Sequence, residues 1–200
     1  LRANLREAKA LLEAAGWAYR DGALRNARGE PLSIEFLDNQ GSMARVVTPF
    51  MQNLSKLGIE ATYKEVDFAL LQKRQDVFDF DIVSVRILGS EAPGSELVTR
   101  FGSEAADTEG SSNFIGIKNK AVDALLRKVV EANTRPELVA SLRALDRVMR
   151  FQHYVVPAWY SWRYRVAYRS GRFVLPPTIP RYYEAEGWAL SSWWADPRNK

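Results

Sequence analysis

Residues 111–168 read SSNFIGIKNKAVDALLRKVVEANTRPELVASLRALDRVMRFQHYVVPAWYSWRYRVAY, and the order of signals inside this stretch decides the fold. An Asn-aromatic turn, Asn113-Phe114, comes first. Val122, Leu125, Leu126, Val129 and Val130 then recur on one face at helical spacing. A second helix is predicted to open at Thr134, whose hydroxyl can cap the first turn while Glu137 reaches back to it. Pro136 sits where its missing N–H costs little. Leu138, Leu142, Leu145 and Met149 form the stripe that this helix would bury. Beyond Phe151 the character changes, and Tyr154 to Tyr168 read as two short aromatic strands.

Working upstream, the same alternation of periods continues. Leu5, Ala8, Leu12 and Ala15 make a helical stripe that stops at Gly16, a residue free to adopt the left-handed conformation of a helix C-terminus. Leu32, Ile34 and Phe36 alternate as a strand. Val46, Val47, Phe50, Met51 and Leu54 return to helical spacing, and Gly58 ends that helix before Ile59, Ala61 and Tyr63 alternate again. This β-α-β order implies a parallel pair joined by a crossover helix. Pro49 removes a helical donor and disfavours helical geometry at Thr48, so a kink or a late helix start is expected there. Phe78 to Val85 reads as a strand buried on both faces, and Ile87 to Gly110, rich in Gly, Ser, Glu and Ala, as a long loop. The fold class expected is α/β, a mixed sheet with flanking helices.

Composition narrows the chemistry. With 46% hydrophobic and 26% charged residues in 200, the chain has the makings of an ordinary globular core. It contains no Cys and one His, which removes disulfides, thiolate nucleophiles and His-rich metal sites. No apolar run approaches the ~20 residues that span a bilayer. The formal charge of +4 would suit an anionic partner if it were concentrated. Arg143, Arg147, Arg150, Arg163, Arg165, Arg169, Arg172 and Arg181 do accompany Trp159, Tyr160, Trp162, Tyr164, Tyr168 and Tyr182, a mixture able to stack bases and neutralise phosphates. That makes a nucleic-acid-binding domain one alternative. A hydrolase is another, using Asp79 and Asp81, which would share one side of a strand, or His153. GSEAPGS at 89–95 lacks the Lys-Ser/Thr ending of a phosphate loop.

The ordered blocks resemble the family-5 extracellular solute-binding proteins, the capture subunits of oligopeptide ABC importers. The resemblance is carried by AKALLEAAGW (8–17), PLSIEFL (31–37), QNLSKLGIEATYKEVD (52–67), FDFDIV (78–83), the Asn113 turn, Val122-Asp123 with Leu125-Leu126, the helix ending near Gln152, and Val156-Pro157 with Tyr160. RVVTPFMQNLSKLGI, NFIGIKNKAVD and SSWWADP are most similar to the subgroup typified by microcin C and murein-peptide binding. It covers nearly the whole chain, yet such proteins are longer and two-lobed. The chain is therefore expected to be one lobe of a periplasmic binding fold, residues 1–150. Residues 151–200 would be an aromatic segment that packs on this lobe or returns toward the first.

What the resemblance implies is a periplasmic, non-catalytic protein that captures an oligopeptide or modified peptide and delivers it to an inner-membrane permease; a monomer without cofactor or nucleic-acid partner is expected, and the lone His argues against metal chelation. It places the ligand strand at Val83 to Leu88. The aspartate that meets a ligand ammonium in peptide binders falls near Ser90, which is not an acid; Glu91 is adjacent. That departure favours a modified, branched or longer peptide. Arg86 is the candidate for a ligand carboxylate or for orienting the loop, the alternative being a pair with Glu91 or Glu96; Asn113 is the candidate for bonding ligand or loop backbone, and Trp159 for a pocket wall, the alternative being core packing.

Overall fold

Helix α1 (Arg2–Ala14) ends where the sequence demands it. Gly16 takes φ +87°, its N–H donates to Glu13, and the N–H of Trp17 donates to Leu12, the paired bonds of a Schellman cap. The computed structural model describes residues 1–87, 92–161, 165–178 and 185–197. Next comes a tight hairpin, β1 (Ala18–Arg20) with β2 (Ala23–Arg25). Asp21 and Gly22 between them both have positive φ, 50° and 81°, as a type I′ turn requires.

The sheet that positions the site follows. Strand β3 (Ser33–Asp38), helix α2 (Ala44–Ser55), strand β4 (Glu60–Glu65), helix α3 (Phe68–Asp76) and strand β5 (Ile82–Val83) run in that order, and the strands pair as β4-β3-β5, all parallel. The central strand carries the burial: Leu37 is 1% exposed, and Phe36, also buried, meets Phe50 of α2 edge-on at 6.0 Å. The helix starts before Pro49 and runs through it. The proline leaves the Arg45 carbonyl without its usual helical donor, while the Thr48 hydroxyl donates to the carbonyl of Ala44 at 2.7 Å.

Gly58 is where the crossover closes. It holds φ +80°, its carbonyl accepts from the N–H of Leu24 at 2.7 Å, and a Cβ there would lie 2.6 Å from the Tyr19 ring and 2.8 Å from the Leu24 nitrogen. Gly58→Ala should therefore cost about 1–2 kcal/mol through left-handed strain and crowding. A urea-unfolding midpoint unchanged from that of the parent chain would show that the hairpin yields instead.

Two expectations change here. The strand anticipated over Phe78–Val85 is only Ile82–Val83, because Phe78 adopts φ +59° and turns the chain, and the next residue folds back so that the N–H of Asp79 donates to Arg74. The loop anticipated from Ile87 to Gly110 contains helix α4 (Ser95–Phe101) and a 3₁₀ turn (Ser103–Ala105). Leu97 and Phe101, four apart, pack against the helical core.

That core lies between α5 (Lys120–Glu131) and α6 (Arg135–Phe151) and is built from Ile117, Val122, Leu126 and Leu145. Asn119 caps α5. The Thr134 hydroxyl and Glu137 carboxylate form the reciprocal capping box of α6 that the sequence announces. Val130, expected on the buried face of α5, is 51% exposed.

The described residues gather into two units, one drawn from Leu1–Gly89 and Pro93–Tyr154, the other from Ser90–Ala92 and Val155–Lys200. Tyr154 at the end of the first unit and residues 155–161 and 165–169 of the second unit form no strand, contrary to the sequence reading: β-branched and aromatic residues favour strands only when a neighbour covers them, and Val156, Trp159 and Tyr160 are 71%, 66% and 85% exposed. The order of the second unit comes from β6 (Phe173–Val174) pairing antiparallel with β7 (Trp194–Ala195), and from α7 (Ala185–Ser192). Trp193 is clasped by Tyr168 at 4.9 Å and Trp188 at 5.3 Å, both edge-on. Among the described residues no helix is long and apolar enough to cross a membrane.

Candidate functional site

Because β3, β4 and β5 are parallel, Asp38, Glu65 and Val83 all finish at one edge of the sheet. The carboxyl edge of an open parallel sheet is where chain ends splay and ligands enter. Past Val83 the chain leaves the sheet: Val85, Arg86 and Ile87 make no main-chain hydrogen bond with another described residue. Val85 is 44% and Ile87 51% exposed, and the exposed Arg86 guanidinium has no ion-pair partner among the described residues, Glu96 included. Main-chain groups and a guanidinium that no described residue pairs are what an extended peptide needs for main-chain pairing and for its carboxylate.

The same edge carries two acids that sequence reading did not single out. Asp38 and Glu65 stand directly opposite each other in register. Asp38 is 3% exposed; its Oδ1 accepts from the N–H groups of Asn39 and Gln40 at 2.8 and 3.0 Å, while Oδ2 is buried with no hydrogen-bond partner in the described structure. Two positions before Glu65 on β4, and so on the same face, Tyr63 donates its hydroxyl to the Gln40 carbonyl at 2.9 Å. Burial first, then the charges of Asp38 and Glu65, push its phenol above the ordinary value near 10. Between that value and the raised one, only the folded state keeps the proton. Stability should therefore fall as pH rises through that window. Tyr63→Phe should flatten this slope above about pH 10, checked by urea unfolding across alkaline pH; an unchanged slope would assign it to other groups.

Asn113 is fully buried, and its side chain is spent on the loop. Nδ2 donates to the carbonyls of Gly102 and Ile117 at 2.9 and 3.0 Å, and Oδ1 accepts from the N–H of Ile117 at 3.0 Å. Of the two roles left open for it, only loop bracing is filled, because the side chain offers no surface to a ligand. Asp123 does parallel work, gripping the N–H and hydroxyl of Ser103 at 2.9 and 2.7 Å. The Asn turn and the Val122-Asp123 pair are thus structural signals.

The proposed catalytic carboxylates are also committed elsewhere. Arg74 forms ion pairs with Glu35 at 2.7 Å and with Asp79 at 2.8 Å, and Glu35 first, then Asp79, raises its guanidinium pKa still further. Asp81 accepts the N–H of Glu35 at 2.8 Å. These acids staple α3 and the start of β5 onto β3 and do not stand together as an acid/base pair. His153 is exposed with φ +54° just past the α6 C-terminus, and its ring makes no hydrogen bond to a described residue. Trp159 is exposed and lies in the second unit. Ser90 and Glu91 lie outside the described residues, as do Trp162, Arg163, Tyr164, Arg181 and Tyr182. Arg143, Arg147 and Arg150 occupy the exposed face of α6, and Arg165, Arg169 and Arg172 are exposed in the second unit. Among the described residues no cluster of three or more His, Cys, Asp or Glu could hold a metal ion.

Comparison with known proteins gives this geometry a family. The model of the bacterial extracellular solute-binding proteins, family 5 (middle), matches residues 2–109, more than half of the chain. The chain belongs to this family. Among family-5 relatives it falls with the YejA-like proteins: it is 43% identical over 182 residues to the probable peptide-binding protein YejA of Agrobacterium fabrum, covering 90% of this chain and 30% of that protein. It is 31% identical over 197 residues to the uncharacterized protein YejA of Escherichia coli, covering 98% of this chain and 32% of that one. The chain thus spans about a third of the length of these relatives. Among solved structures, the oligopeptide-binding protein AppA of Bacillus subtilis, in complex with a nonapeptide, superposes with a TM-score of 0.66 at 22% identity, over 74% of this chain and 30% of that one. The murein tripeptide binding protein MppA superposes with a TM-score of 0.59 at 20% identity, over 75% and 27%. These likenesses establish an α/β fold of the periplasmic-binding kind.

Proposed function

We propose that this chain supplies one jaw of the substrate-capturing component of a peptide-type ABC importer, working in the periplasm and handing its cargo to an inner-membrane permease. The observation that carries the reading is the run Val85–Ile87 at the carboxyl edge of the sheet, exposed and without main-chain partners among the described residues, with the guanidinium of Arg86, which no described residue pairs, in its midst. An extended peptide lying along it gains main-chain hydrogen bonds that are indifferent to side-chain identity, and Arg86 meets a carboxylate of the ligand. Capture requires no bond-breaking: Asp79 and Asp81 are occupied with holding the fold, and the His153 ring has no described partner to orient it as a base. Two relatives supply the substrate class by analogy, one named a peptide-binding protein and one solved with a nonapeptide. Ser90 in place of an acid, with Glu91 beside it, favours a modified, branched or longer peptide. A second lobe closing over the ligand adds contacts that this chain cannot make alone, so the closed form is populated when peptide is bound.

Calorimetry on the whole mature protein tests the reading, using short unmodified peptides, longer peptides and side-chain-modified peptides. Micromolar or tighter binding of a peptide, little altered by salt, supports it. Nucleic-acid binding that falls steeply with salt, together with no peptide binding, would overturn it. The 200-residue chain by itself is expected to bind the same peptides far more weakly.

A further inference from the structure

A polar cleft of about 270 Å³ opens between the end of α3, the end of α4 and the loop 110–114. It does not belong to the edge just described. Helix α3 leads into the start of β5, whereas Arg86 follows its finish, so the two features lie toward opposite ends of that strand. The cleft is smaller than the ~300–1,000 Å³ typical of pockets for drug-sized molecules, so its occupant is small.

Its lining has one acid and one base that do not meet. Asp76 and Arg100 both border the cleft, yet neither forms an ion pair with any described residue. Asp76 accepts a hydrogen bond through Oδ1 from Gln72 at 2.7 Å and keeps Oδ2 open. Gln75 and Ser112 line the same space with side chains that have no hydrogen-bond partner among the described residues. Phe114 supplies the apolar wall, braced edge-on by Phe80 at 6.3 Å.

The walls are fixed in advance. The N–H of Gly110 donates to the Asp76 carbonyl at 3.0 Å, the Ser111 hydroxyl to Ala105 at 2.7 Å, and Asn113 anchors the loop from behind. Opposite charges held apart on a rigid frame, with neutral donors and one aromatic face between, are complementary to a small zwitterion bearing an apolar side chain. We propose that this cleft is a second binding site, for a free amino acid. Arg100 receives its carboxylate, Asp76 its ammonium, and Phe114 its side chain. The assignment stands independently of peptide capture at Val85–Ile87.

The experiment titrates L-leucine into the whole protein by calorimetry, beside leucinamide, which lacks the carboxylate, and 4-methylpentanoate, which lacks the ammonium. Leucine is expected to bind, with each truncated analogue at least about tenfold weaker, since each loses one charge-assisted hydrogen-bonding partner. Arg100→Gln and Asp76→Asn should each weaken leucine by about tenfold while leaving oligopeptide affinity unchanged, and Arg100→Lys should restore part of the loss. Thermal melting confirms that the variants fold. Absence of leucine binding overturns the proposal, as do analogues that bind like leucine. So does leucine binding that survives Arg100→Gln but is lost in Arg86→Ala, a result that would move the amino acid to the peptide edge.

Discussion

Asn113→Ala should destabilise the protein by about 3–5 kcal/mol. The side chain is fully buried and bridges two backbone segments, taking the carbonyls of Gly102 and Ile117 and the N–H of Ile117 in one grip. Alanine removes three hydrogen bonds and leaves those backbone groups dry, and each stranded group costs ~1–3 kcal/mol. Urea unfolding measures it. Asn113→Asp is the sharper variant, because it turns a donor pair into oxygens facing two carbonyls, and it should be at least as damaging. If Asn113 instead touched ligand, either variant would fold normally and lose peptide affinity. The expected pattern is the reverse, with lowered stability and, in the fraction that folds, unaltered affinity.

Arg86→Ala should weaken peptide binding by the whole protein about 10–100-fold while leaving its unfolding midpoint nearly unchanged. The reasoning turns on what Arg86 does not touch. Its guanidinium has no partner among the described residues and is exposed, so its removal strands no buried group. A ligand carboxylate held by it gains a charge-assisted hydrogen bond worth ~1.5–3 kcal/mol, which is the fold-change expected. Arg86→Lys should recover part of the affinity, because an ammonium keeps the charge and loses the two-pronged geometry. Equal affinities for the parent and Arg86→Ala would remove the residue from the site.

How much of this was legible from residues alone depended on whether a signal was local. Gly16 and Gly58 announced their helix ends, and both adopt left-handed φ. Thr134, Pro136 and Glu137 announced a capping box, and it forms. The β-α-β order announced parallel strands, and β3 and β4 pair over six registered positions. The Asp21-Gly22 dipeptide is an equally local signal, and the β1-β2 hairpin turns on it. Features that depend on distant partners were not legible. Leu97 and Phe101 form a helical stripe only because Ile117 and the α5–α6 core wait for them, and glycines and serines around them masked it. The aromatics of 154–168 looked like strands, yet strand propensity without a neighbouring strand organises nothing. Asp79 and Asp81 looked like a functional pair because Arg74 and Glu35, their true partners, come from another helix and another strand. Asp38 escaped notice because its importance lies in being buried at a sheet edge, which no spacing reveals.

Peptide capture turns on main chain just beyond β5 that no described residue pairs. Amide hydrogen exchange of the whole protein, with and without a bound peptide, measures this residue by residue. Peptide should slow exchange at the amides of Val85, Arg86 and Ile87, which make no hydrogen bond with other described residues in the structure. A tightly bound peptide that leaves those three amides exchanging at their unliganded rates would place the ligand elsewhere and contradict the account.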